Sequence, residues 1–270
     1  MKKIIAPIFA ILLASCDGET VKNTLDTTVA IEALTEYSTV NKVFQDIGNN
    51  SGDAVLTSEG TASASAKLTS TKADGPVITI DPMDFTSFPK TITIDYGMGV
   101  LCKDGITRKG IVTIVSSNWY GVEGSMHTST FTNYYHEEYK VEGTHVVENL
   151  GENTDGDLEY SVTITDGKIT TSTGATIEYT EDSTRTWVAG SDTPLNIWDD
   201  EYLLDGIQHG RSSKGVDYSL TVEESLHFAL LPRSIKAGIL DIDVASIEDI
   251  KLNYNTKMVT ILGKNFPFGI

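Results

Sequence analysis

Three histidines stand nine residues apart, at His127, His136 and His145, and the middle one runs directly into Glu137 and Glu138. Adjacent antiparallel strands would gather such residues, and imidazole with carboxylate is a zinc ligand set. The spacing is wrong for a local metal motif such as HExxH or a finger, and histidines on strand surfaces account for it. Acids cluster at Asp199-Asp200-Glu201 and at Glu223-Glu224. Two carboxyls held about 5–10 Å apart hydrolyse glycosidic bonds. Neighbours on a strand point to opposite faces, however, and a chain with 38 acids meets that distance by accident. Asn153, Asp155 and Asp157 around Gly156 lack the closing glutamate and the glycine position of a calcium loop, so a solvated hairpin turn is expected there. Cys102 has no neighbouring base in sequence to make it a nucleophile. No G-x-S-x-G, phosphate loop or dinucleotide fingerprint is present. No catalytic residue, metal or cofactor is therefore assigned. Aromatic residues have most to offer a ligand: Trp119, Trp187, Trp198, Tyr134 and Tyr135 would stack on a glycan or grip a protein partner if a sheet displayed them in a row.

The elements that must carry these residues are strands. From Val77 onward, short β-rich runs alternate with turn clusters at roughly ten-residue spacing, the pattern of an antiparallel domain. Ile92, Ile94 and Tyr96 alternate with polar neighbours over residues 91–96. The run 160–165 does the same and is followed by Asp166-Gly167, which predicts a tight hairpin turn because that dipeptide tolerates positive φ. Further strands are expected at 110–116, 126–135, 139–149, 175–189, 200–209, 215–224, 236–244, 248–253 and 257–262. Many are half polar, which fits a sheet with one wet face. The fold class is all-β: an antiparallel multi-stranded meander, as a sandwich or an open barrel, with one short N-terminal helix. That helix is expected over 29–52, where Ala30, Ala33, Leu34, Tyr37, Val40, Val43, Phe44 and Ile47 recur at spacings of three and four and Gly48-Asn49-Asn50-Ser51-Gly52 reads as a stop. Residues 53–75, rich in Ala, Ser, Thr and Gly, read as a loose connection or a poor edge strand at the start of a β domain over 53–270. A weak internal repeat relates 77–81, 92–97 and 109–114 to 239–243, 250–255 and 257–261 in the same order.

The N-terminus is an address. Met1-Lys2-Lys3 precedes an apolar stretch, Ile4 to Ala14, that is too short to span a bilayer. It ends in Leu13-Ala14-Ser15-Cys16, which resembles the bacterial lipobox. The resemblance implies removal of residues 1–15, lipidation of Cys16, and membrane attachment through a tether over 16–28. Acyl chains hold a protein at roughly 0.8 kcal/mol per buried methylene. Asp17 and Glu19 follow the cysteine, and they resemble both an inner-membrane retention signal and a surface-export signal.

Composition narrows the partners. With 20 Lys+Arg against 38 Asp+Glu the net charge is −18, which argues against a phosphate backbone as ligand. Hydrophobic residues make up 40 %, enough for a core. Two cysteines, one of them the lipidation site, leave no intramolecular disulfide in the mature chain. The segments 91–97, 102–105 with 108–110, 130–135, 141–145 and 183–187 are similar to a family of uncharacterised lipoproteins from Bacteroidetes-type bacteria. That resemblance implies an outer-membrane or cell-surface location and a β-rich body, and it carries no activity. The expected function is a membrane-anchored, non-enzymatic binding or structural module. A hydrolase of an envelope polymer is the alternative, and carriage of an apolar ligand inside a curved sheet is a third.

Overall fold

The chain is described by a computed structural model over residues 20–63, 75–190, 199–230 and 233–267. Among the described residues one long helix, α1 (Thr20–Ser63), comes first and is followed by strands. These are β1 (Val77–Asp81), β2 (Lys90–Asp95), β3 (Val100–Leu101), β4 (Thr107–Ser116), β5 (Met126–His136), β6 (Tyr139–Glu152) and β7 (Leu158–Thr170). After them come β8 (Thr176–Ala189), β9 (Glu201–Arg211), β10 (Asp217–Leu230), β11 (Arg233–Val244), β12 (Ile247–Asn253), β13 (Met258–Ile261) and β14 (Lys264–Pro267). All fourteen strands form one antiparallel sheet. It runs in sequence order from β1 to β14 without closing, with β3 paired to β4 beside β2. The fold is thus an all-β meander, open rather than a sandwich of two sheets. The turn at 153–157 closes the β6–β7 hairpin, with Asn153 Oδ1 accepting the backbone N–H groups of Asp155 and Asp157, both at 2.9 Å. The repeated segments lie in β1, β2 and β4 at one end of the sheet and in β11, β12 and β13 at the other.

One helix lies across one face of this sheet. At 1.5 Å per residue its 44 residues span about 66 Å. Thirteen strands side by side at about 4.8 Å cover nearly the same width. Ala30, Ala33 and Leu34 pack on Tyr218, Leu220, Ile242 and Ile250 of β10–β12. Val40, Phe44 and Ile47 share a second cluster with Tyr179, Ile164 and Ile169, and the same cluster continues to Ala62 and to Ile80 of β1. The helix touches β2, β4, β6, β8, β10, β11 and β12, so it ties strands as far apart as β2 and β12, which do not pair with each other. Polar contacts fix it at intervals. Glu36 accepts the backbone N–H and the hydroxyl of Ser213 in the β9–β10 turn, at 2.6 and 2.5 Å, and His136 Nε2 lies 3.2 Å from Asp46.

Two expectations need correction. The helix is neither short nor confined to 29–52: it begins at Thr20, inside the expected tether, and runs on through residues read as a loose connection. Gly48 and Gly52 do not stop it: both lie on the side that faces the sheet, and Gly48 is held close against it. A Cβ at Gly48 would lie 3.0 Å from His145 Nε2, and one at Gly52 would lie 3.8 Å from the Tyr120 ring. The apolar stripe also continues beyond them, through the buried Ala54, Val55 and Ala62. The second correction concerns Asp166-Gly167, which does not turn the chain. β7 passes straight through it with a bulge, in which residues 165 and 166 oppose one residue of β8, and Asp166 has φ 52°. A bulge uses the same positive φ as a tight turn. Gly167 leaves room for Phe44: a Cβ there would lie 3.1 Å from the Phe44 ring and 2.4 Å from the Tyr179 carbonyl oxygen.

Candidate functional site

Alternation along β8 places Ile177, Tyr179, Glu181, Ser183, Arg185 and Trp187 on the face that carries the helix. The first two lie under α1. Glu181 is buried at the seam, where Tyr179 Oη donates to Oε2 at 2.8 Å and Ser183 Oγ donates to Oε1 at 2.5 Å. Asn41 of the helix donates to Tyr179 Oη at 2.8 Å, and Tyr37 Oη donates to Gln208 at 2.5 Å. This polar seam satisfies the buried carboxylate and marks the flank of α1. Past it, the same face holds Arg185 and Trp187, both half-buried.

Register assembles the neighbours of these two residues. Arg185 pairs with Tyr160 on β7 and with Leu204 on β9, while Trp187 pairs with Leu158 and Tyr202. Trp187 and Tyr202 stack at 5.8 Å with planes 27° apart. Tyr160 stacks on Tyr120 at 5.3 Å, and Tyr120 on His127 at 4.9 Å. The result is a row of rings with a single guanidinium set within it. Among the described residues the Arg185 guanidinium has no hydrogen bond or ion pair, although its charge reaches Tyr120, Tyr202 and His145 and favours the phenolate or the neutral imidazole. Burial dominates over that charge in both tyrosines and raises their pKa. Asp200, buried behind the row, accepts a hydrogen bond from Tyr202 Oη at 3.0 Å, and desolvation raises its carboxyl above the ordinary range. The row can hold a flat ring against Trp187 and Tyr202 and can neutralise one negative charge at Arg185.

The aromatic residues expected to form a platform do not form one together. Trp119 is buried between Phe85 and Phe88, at 5.4 and 5.1 Å, with its indole N–H donating to the Phe85 carbonyl at 3.1 Å. Tyr134 is buried against Tyr96 and Phe131. Tyr135 is half-buried one position further along β5 and takes the Lys109 ammonium over its ring at 3.8 Å. Trp198 and Cys16 lie outside the described residues. Of the four candidates that are described, Trp187 alone joins the row. The residues missing from the sequence reading are Arg185, Tyr160 and Tyr202. One signal was available for Arg185, since it sits two positions before Trp187 on a predicted strand and must share its face.

The other groups disperse. His127 bonds Ser116 Oγ at 2.9 Å, His136 faces Asp46, and His145 lies under Gly48 with Nδ1 unpaired among the described residues. No group of three ligating side chains among the described residues could hold a metal ion. Glu201 is engaged by Lys236 and His227, Glu223 by Lys251, and Glu224 accepts from Asn255 at 3.0 Å. These acids thus serve as partners of basic and amide groups along the sheet. Cys102 is a free, half-buried thiol 3.8 Å from the Val100 carbonyl oxygen. No helix among the described residues is long and apolar enough to cross a membrane. Compared with known proteins, the chain matches no family model, no curated protein and no solved structure.

Proposed function

We propose that this chain is a lipid-anchored protein of the bacterial outer envelope that works by binding rather than by catalysis. The anchoring part rests on the Lys2-Lys3 end, the apolar run and Cys16 in lipobox register. The binding part is carried by one observation: Arg185 stands without a counter-ion among the described residues, in a row of buried and half-buried rings beside the helix. An unpaired, partly desolvated guanidinium is costly to keep unless a ligand uses it.

Anchoring has a direct test. Cys16→Ser is expected to lose palmitate labelling and to move from the detergent phase to the aqueous phase. Unchanged partition would refute the lipid anchor. Protease added to intact cells then separates the two faces of the outer membrane. Loss of the body would place it on the surface, whereas protection with the lipid label intact would turn it toward the periplasm.

A further inference from the structure

We infer that the Arg185 row takes an acidic saccharide, with the carboxylate on the guanidinium and a sugar ring against Trp187 and Tyr202; the inference rests on the binding role just proposed. Three features converge on that class. The first is the cation. Arg185 presents a planar fork that suits a carboxylate held bidentately, and it is the one guanidinium or ammonium in the row; the other basic member, His127, is depressed to about 4 by burial. A phosphate ester or nucleotide, with two or more charges, would call for another. The second is the ring pair. Trp187 and Tyr202 are stacked on each other and half-buried, so their remaining surface is flat and partly apolar, as a sugar ring requires. The third is the field of the whole molecule. A chain of net charge −18 repels a dense polyanion, so the fitting ligand carries isolated carboxylates between neutral sugars.

The test is calorimetric titration of the lipidated chain in non-ionic detergent with two probes, a hyaluronan hexasaccharide and its carboxyl-reduced counterpart. The acidic form is expected to bind at least tenfold more tightly. Arg185→Gln is expected to remove that preference while leaving the melting temperature near that of the parent, and Arg185→Lys to restore part of it. Should Arg185→Gln fail to fold, Arg185→Lys and the reduced saccharide still decide the matter. Equal binding of both saccharides, abolished by Trp187→Ala, would overturn the carboxylate assignment and leave the row as a binding surface. Binding of neither would overturn both.

Discussion

Phe44→Ala is expected to lower the free energy of unfolding by about 3–5 kcal/mol, the range for deleting a fully buried aromatic ring. Phe44 has no exposed surface, stacks on Tyr179 at 5.6 Å with planes 19° apart, and meets Phe131 edge-on at 6.4 Å. The bulge at Asp166-Gly167 exists around it, so the cavity has backbone on one side and cannot collapse readily. Stability should fall mainly because the helix loses its central hold on the sheet. Urea denaturation of parent, Phe44→Ala and Phe44→Leu reads this directly. Leucine keeps much of the volume and should lose less. A loss below about 1 kcal/mol for alanine would mean that the helix is held elsewhere.

The second large effect is on acid stability. Burial depresses His127 to about 4 and His145 to about 3, with the Arg185 charge adding to the effect at His145. Their folded values lie below the ordinary histidine value near 6.5, so the unfolded chain takes up protons first as pH falls. The stability these residues contribute is complete above pH 6.5 and is lost progressively as pH falls toward 4 and 3. Each histidine contributes a slope of about 1.4 kcal/mol per pH unit across that window. The total loss is on the order of 3 kcal/mol from His127 and more from His145. Ordinary carboxyls titrate near pH 4, which makes pH 6.5 to 5 the diagnostic interval. Urea midpoints measured there should fall steeply with acid, and His145→Gln should flatten the slope. A flat profile between pH 7 and 5 would contradict the burial of both imidazoles.

The strands were legible because each has to show its alternation locally. Ile92 and Ile94 are fully or almost fully buried, the expected strands over 126–135 and 139–149 sit inside β5 and β6, and the one over 175–189 matches β8 to within one residue. Glycine is where local reading failed. Asp166-Gly167 supplies positive φ for a turn or a bulge alike, and only the continuing pairs of β7 with β6 and β8 decide between them. Gly48 and Gly52 look like helix stops until His145 and Tyr120 are seen beneath them. The site was half legible. Alternation puts Arg185 beside Trp187, but it cannot show that Tyr160 and Tyr202 come alongside, since this depends on register between strands joined by separate turns. Nor does an aromatic residue type reveal its fate. Trp119 and Trp187 read alike in sequence, yet one is core and the other edges a row.

The diagonal helix also imposes an order of events on folding. Apart from β2, which pairs with β4 past the short β3, neighbours in the meander are adjacent in the chain, so pairing advances by local closures. The helix is the reverse case. It is made first, yet Phe44 waits for Tyr179 and Leu34 for Leu220, partners well over a hundred residues downstream. The element made before every described strand therefore waits for most of the sheet to find its place. Until it docks, the inner face of the sheet stands open, with its isoleucines and tyrosines bare to any other chain nearby.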